Sequence, residues 1–377
     1  MTSPHRRRRE APPASSPLPP LYTRWIRQAL GALPPNETTA TCSTCAMLPP
    51  AGVDPGELEG ALFFDPRSKC CTYIPELPNF LVGNILLDTT PEARPGRESV
   101  QARIRAGLQV TPLGLDKPPQ FAILYASNTG DLFGRATDLR CPHYLADSGG
   151  CGIWRHRMST CCTWFCKYDL GSTGRVAWSA MRQLLRVIER VIAVHCVRTL
   201  APGARALEHA QHASPVREPH LRAADLGAPI DQHEQQRIWG TYAGREEAFY
   251  EACGTIASAL TWADIRALGG AELDLALDVA RGEQAAVRST SIPRALRLGS
   301  FTVANAGTDT VECTTLNAYD PLSIPRALFD RLHLFDGRPT RSALAALREE
   351  GIELSPTAVR KLVAHGFLVA ASTSSTR

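Results

Sequence analysis

Apolar residues recur every three to four positions in several stretches of the chain, and those stretches predict helices. "LYTRWIRQAL" is a short one, and "RESVQARIRAG" is another that ends at Gly107. The longest follows "DLGSTGR", where Ser172 or Thr173 offers a side-chain cap and Met181, Leu184, Leu185, Ile188, Val191 and Ile192 line one face. "WGTYAGREEAFYEACGTIASAL" resumes the helical period, with Trp239, Tyr242, Phe249 and Tyr250 expected in its core. Strand-like runs are fewer: "QFAILYA", and the pair flanking "NAGTD" in "SFTVANAGTDTVECTTL", which reads as a hairpin. The C-terminal stretch predicts three short helices, "LSIPRALFDRLHLF", "DGRPTRSALAALREEG" and "SPTAVRKLVAHG", and then the strand "FLVA". "SIPRAL" occurs at Ser291 and again at Ser323 and is read as a helix entry in both places. The pattern is that of an α+β protein.

Composition fits a soluble globular chain of several domains, with 377 residues, 44% hydrophobic and 21% charged. The net charge of +4 is concentrated at the start, where Arg6, Arg7, Arg8 and Arg9 stand against Glu10. The remainder is close to neutral and carries no electrostatic signature of nucleic-acid binding. "MTSPHRRRREAPPASSPLPP" has a basic beginning but Pro, Ser and Ala where a signal peptide needs an apolar run, so export is not expected and a cytoplasmic location is. No stretch has the length and apolarity of a membrane span; the nearest, Val176 to Val197, contains Arg182, Arg186, Glu189 and Arg190 and reads as an amphipathic helix. Residues 201–234 are polar, with His209, His212, His220 and His233 expected to be exposed loop histidines.

Cysteine changes this picture. Nine of the twelve cysteines lie between Cys42 and Cys166, in Gly- and Pro-punctuated sequence without sustained periodicity. The spacing is Cys42-x2-Cys45, then Cys70-Cys71, then Cys141, Cys151, Cys161, Cys162 and Cys166. Two residues between cysteines turn the chain so that both sulfurs face one ion, and thiolate sites are completed from distant segments. A catalytic thiol with His143 or His156 as base would use one cysteine and leave eight idle. A dithiol-exchange reading of Cys42 and Cys45 lacks the flanking helix that lowers a thiol pKa. His143 and His156 would replace a thiol ligand or, as the commoner outcome, lie at the surface.

"CPHYLADSGGCGIWRHRMSTCCTWFC" resembles the signature of the YkgJ-type cysteine-cluster family, described as zinc- or iron-chelating proteins. The matches are Cys141-Pro142, Cys151, Ile153, Trp154, Arg157, Cys161 and Cys166, with the family's earlier elements matched by Cys42, Cys45, Cys70 and Cys71. Met158 replaces the family's proline, and 24 residues separate Cys45 from Cys70 where the family has a few. The resemblance covers residues 42–166 and implies metal ligands at Cys42, Cys45, Cys70, Cys71, Cys141, Cys151, Cys161 and Cys166. Cys162 is left as a ninth ligand, a spare, or a small apolar residue. All-thiol sites serve both zinc and iron–sulfur clusters; many thiols with little histidine lean to the cluster. Arg155 and Arg157 are expected to offset thiolate charge, and Trp154, Trp164 and Phe165 to wall the site off from water.

Phe335-Asp336-Gly337-Arg338-Pro339-Thr340 and Gly366-Phe367-Leu368 are similar to the turn and closing segment of PqqD-like winged-helix modules, which implies a peptide- or protein-binding role. On the last helix only Arg360 and Lys361 are basic, which argues against DNA. The expected organisation is a disordered tail at 1–20, a cysteine-cluster metal domain at 21–200 closed by the long helix, a linker at 201–234, a helical region at 235–290 and a winged-helix-like module at 291–377. The functional expectation is a metal-binding protein coupled to an interaction module. The alternative is a metal-dependent redox or peptide-modifying enzyme.

Overall fold

The fold is known from a computed structural model, which describes residues 18–38, 42, 45–49, 63–118, 121–123, 125, 133–203, 205–207, 232–316, 318 and 320–371. The Arg6–Arg9 run and His209, His212 and His220 lie outside the described residues. The described chain is a mixed α+β structure of helices and small antiparallel sheets.

The helices of the first part are α1 (Pro20–Leu30), α2 (Asn79–Leu87), α3 (Arg94–Ala106), α4 (Ser159–Thr163), α5 (Gly171–Leu200), α6 (Gln232–Trp239), α7 (Glu246–Ala259) and α8 (Trp262–Arg288). Gly31 and Gly107 end α1 and α3 in the left-handed conformation that favours glycine. The long helix α5 begins at Gly171 without a side-chain cap, so neither Ser172 nor Thr173 plays that part. Its apolar face is buried as the period requires, but so is Glu189. α8 runs along α5 with a kink at Gly270, and α2 lies against α7. The α2–α7 approach depends on glycine: a Cβ on Gly83 would come within 1.8 Å of the Tyr250 carbonyl oxygen. α2 is tied down by Asn79, whose side-chain amide donates to the carbonyls of Pro112 (2.8 Å) and Ala193 (3.0 Å).

Strands β1 (Leu77–Pro78), β2 (Val110–Thr111) and β3 (Gly114–Leu115) form a small sheet in the order β1-β3-β2, and β4 (Tyr144–Leu145) pairs with β5 (Gly150–Cys151). One apolar core runs from Leu18 to Ala280, so the helices of 235–280 pack with the segments around the cysteines and not apart from them. Trp239, Phe249 and Tyr250 are fully buried there in edge-on ring contacts. α6 begins at Gln232, within the stretch read as linker, and carries the exposed His233.

"QFAILYA" is not a strand in its described part. Residues 121–123 and 125 are helical, and Phe121 stacks on Tyr125 one turn later at 5.6 Å. Aromatic residues four apart suit a helix face as well as they suit a strand, and the Pro118 carbonyl, bonded by Ala122 N–H, starts the turn.

The C-terminal part has its own core, from Leu296 to Leu368. It contains β6 (Ala295–Leu298), β7 (Thr302–Ala306), β8 (Thr310–Thr314), β9 (Leu322–Pro325), α9 (Arg326–Phe329), β10 (Asp336–Pro339), α10 (Thr340–Glu349), α11 (Pro356–Ala364) and β11 (Leu368–Ala370). The sheet orders are β10-β6-β11 and β7-β8-β9. β7 and β8 form the hairpin expected around "NAGTD". Ser355 caps α11 through the Ala358 N–H, with Pro356 at the first helical position. Leu322–Pro325, expected to open a helix, is a strand instead, and the helix starts only at Arg326. The first "SIPRAL" ends in β6, so the hexapeptide enters a helix in one copy only. Neighbours on β8 and on β10 and β11 decide the matter over local preference. Among the described residues no helix is long and apolar enough to cross a membrane.

Candidate metal centre

The cysteines sit on tight turns that backbone hydrogen bonds hold together. Lys69 adopts a left-handed conformation (φ 50°), which turns the chain between Asp65 and Cys71. The Cys141 N–H donates to the Cys71 carbonyl at 2.7 Å, joining the second and third cysteine segments. Lys69 Nζ donates to the carbonyls of Cys42 (2.8 Å) and Gly149 (2.7 Å), joining the first segment to the β4–β5 turn. Cys151 stands opposite Tyr144 in that hairpin, Cys161 lies on α4, and Cys166 packs with Met47 and Phe64, against which Cys45 and Cys70 also lie. All twelve cysteines are free thiols.

Seven thiols of the set, Cys42, Cys45, Cys70, Cys141, Cys151, Cys161 and Cys166, are influenced by neighbouring thiols. Burial raises the Cys42, Cys45, Cys151 and Cys161 thiols, and pushes Cys141 and Cys166 up to about 12, with neighbouring thiols adding to the rise. Cys70 is raised first by its hydrogen bond with the Cys71 thiol and then by burial. These influences link Cys42, Cys45, Cys70 and Cys166 with one another, and Cys141, Cys151 and Cys161 with one another, and the two sets meet where Cys70 faces Cys141 and Cys151 and where Cys42 faces Cys151. Among the described residues, no group of three or more His, Cys, Asp or Glu side chains has the closeness of a formed metal site.

Two features of the surroundings favour thiolate. The backbone N–H groups of Met47, His143 and Ile153 point at the sulfurs of Cys45, Cys141 and Cys151, in each case the cysteine two residues earlier, and lower its pKa. Cations face the sulfurs as well: Lys69 faces Cys42, Cys45 and Cys70; Arg157 faces Cys42, Cys151 and Cys161; Arg103 faces Cys141. Buried thiols with such high pKa values remain protonated at neutral pH, whereas a bound cation displaces their protons, so the donor set fits a soft metal. Ser68 Oγ, on the same turn as Cys70, is buried with no hydrogen-bond partner among the described residues.

Several expectations are corrected. His143 is 1% exposed, not at the surface, and both ring nitrogens are engaged, Nδ1 with Ser99 Oγ (2.7 Å) and Nε2 with Arg103 (3.3 Å). Burial and then Arg103 push it down to about 3, so it is neutral, and Arg103 as the donor at Nε2 leaves the ring proton on Nδ1. His156 is also inside, bonded through Nε2 to Asp88 at 2.9 Å. His143 therefore has no nitrogen to spare as a metal ligand, and the Nε2 of His156 is taken by Asp88. Arg155 reaches Asp88 (3.6 Å), which leaves Arg157 as the arginine beside the thiols; its guanidinium lies over the Trp154 ring at 3.4 Å and donates to the Cys161 carbonyl. Trp154 is 46% exposed and serves that stack, and Phe165 packs on Trp178; Trp164 packs on Phe133 and against the cluster of Met47, Phe64 and Cys166, beside the cysteines as expected.

Cys162 follows Cys161 on α4. It is buried in the main core with its thiol near the Ser159 carbonyl (3.4 Å), and burial pushes it up to about 12. Lys69 and Arg103 went unread in the sequence. A lysine beside a cysteine pair was a visible signal for the first, whereas only the folded chain brings Arg103 to Cys141. Compared with models of protein families, with curated proteins and with solved structures, the chain matches none.

Proposed function

We propose that the eight thiols of Cys42, Cys45, Cys70, Cys71, Cys141, Cys151, Cys161 and Cys166 hold metal, as zinc or as an iron–sulfur cluster, and that residues 291–377 are a winged-helix-like module that binds a protein or peptide. The observation that carries the reading is the repeated turn at Cys45, Cys141 and Cys151, in which a backbone N–H two residues on is aimed at the sulfur. Such donors stabilise anionic sulfur, and hydrogen bonds of this kind also set the potential of a cluster. Lys69, Arg103 and Arg157 offset the charge that builds up on several thiolates. The resemblance of residues 42–166 to the YkgJ-type family points the same way. When bound, zinc would cross-link four chain segments, while a cluster would add one-electron transfer.

The test is metal analysis and an absorption spectrum of protein purified without oxygen. Near-stoichiometric zinc without visible absorption, or iron with sulfide and a visible band, supports the reading; metal-free colourless protein overturns it. Cys161→Ser should lower metal content, whereas Cys162→Ala should leave it unchanged and cost about 1–2 kcal/mol of stability as a small core cavity.

A further inference from the structure

Helix α5 carries a line of arginines with no internal use. Arg175, Ser179, Arg182, Arg186 and Arg190 recur three to four residues apart and so share one face of the helix. Arg175, Arg186 and Arg190 are exposed, and Arg182 is half-buried. Arg190 pairs with Glu272 of α8. Arg175, Arg182 and Arg186 make no hydrogen bond or ion pair among the described residues. Like charges four apart destabilise a helix, and Arg186 stands four residues from both Arg182 and Arg190. The carboxylate beneath the line is already committed: Glu189 faces Arg186, but it is buried and accepts from Tyr22 and Ser159.

The line is bounded on both sides. Glu272 neutralises Arg190 at one end, and Val176, 47% exposed, follows Arg175 at the other. Tyr73 and Lys117 face Arg186 from the loops before β1 and after β3, and Lys117 is itself paired with Glu76. Three free guanidinium groups remain, whose positions along the helix axis are about 10.5 and 6 Å apart.

We propose that this face of α5 docks an acidic segment of a partner protein, whose Asp or Glu side chains pair with Arg175, Arg182 and Arg186. A guanidinium takes a carboxylate through two parallel N–H donors, which suits carboxylates held at fixed intervals. A helix with acids seven and four residues apart has the matching intervals. A nucleic acid fits the face less well, because it brings about 6–10 phosphates to a site, and Glu272 and Glu76 beside the line would repel them. Tyr73 faces Cys161 as well as Arg186, so the docked segment lies alongside the thiols. Docking does not depend on the thiols holding metal.

Fluorescence anisotropy of the full chain at low ionic strength tests this, with a labelled alanine-rich helical peptide bearing glutamate at intervals of seven and four residues as the probe. The peptide should bind, and added salt should weaken the binding. Arg175→Gln, Arg182→Gln and Arg186→Gln combined should weaken it about tenfold, with the far-UV circular dichroism unchanged because glutamine suits an exposed helix. Arg175→Glu, Arg182→Glu and Arg186→Glu combined should instead bind the same peptide with lysine in place of glutamate, a swap that a misfolded variant could not perform. Arg6→Gln, Arg7→Gln, Arg8→Gln and Arg9→Gln combined, a control for basic charge elsewhere in the chain, should bind like the wild type. The proposal is overturned if the wild type does not bind the peptide, binds its glutamine version equally well, or binds it undiminished in the Gln variant of α5. Tighter binding of a single-stranded oligonucleotide, lost in that same variant, would overturn it in favour of a nucleic-acid site.

Discussion

Glu189 supports the piece of chain that carries Cys161 and faces the neighbouring Cys162 thiol. It lies on α5, 5% exposed, and accepts from the Tyr22 hydroxyl (2.5 Å), the Ser159 N–H (2.6 Å) and the Ser159 hydroxyl (2.6 Å). Tyr22 and Ser159 are themselves fully buried, and the Ser159 N–H is the first of α4. Glu189→Leu strands three donors where water does not reach. At about 1–3 kcal/mol each, with the serine hydroxyl free to turn and the leucine returning about 1–2 kcal/mol of apolar burial, the net cost is about 3–5 kcal/mol. Glu189→Gln keeps one oxygen for Tyr22 and the Ser159 N–H and places an amide against a hydroxyl that accepts as well as donates, so its cost is about 1–2 kcal/mol. Urea unfolding followed by far-UV circular dichroism measures both variants, with the slope checked for constancy. Equal midpoints for the two variants, or a leucine variant as stable as the wild type, would show that the three hydrogen bonds are not what holds α4 to α5.

Gly83→Ala should destabilise by about 2–4 kcal/mol despite the better helix propensity of alanine, because the new methyl meets the backbone of α7 and the helices must part; thermal unfolding checks it. Asp88 tests a pH dependence. Burial works against its charge, but hydrogen bonds from Thr90 and His156 hold it down at about 2, so its contribution is complete above the ordinary value of 3.8 and is lost as pH falls through about 2. The stability gap between wild type and Asp88→Asn, read from urea midpoints, should therefore narrow from pH 5 to pH 2.

Helices with a clear apolar stripe were legible in the sequence because burial of one face suffices to define them: Met181 through Ile192 sit where the period puts them. Nine thiols crowded between Cys42 and Cys166 were visible in the sequence, while the choice of eight among them came from the family resemblance; backbone and Lys69 hydrogen bonds join the segments of Cys42, Cys71, Cys141 and the β4–β5 turn. What the stripe hid was Glu189, a charge on the buried side whose three donors come from α1 and α4, far away in sequence. Likewise the histidines inside the cysteine stretch looked like ligands or surface groups, whereas Ser99 and Arg103 claim both nitrogens of His143 and Asp88 claims Nε2 of His156. The two copies of "SIPRAL" make the same point for backbone, since identical local sequence takes two conformations under different neighbours.

The sulfur-facing amides at Met47, His143 and Ile153 belong to the main chain, and this sets what evolution is free to change. As far as the sulfurs are concerned, nineteen of the twenty amino acids are interchangeable at those three positions, and only proline, which has no N–H, is forbidden. Relatives that share these turns should therefore never place proline at the residue two after each of these cysteines, and what else stands there is set by the packing of Met47 and Ile153 and the hydrogen bonds of His143.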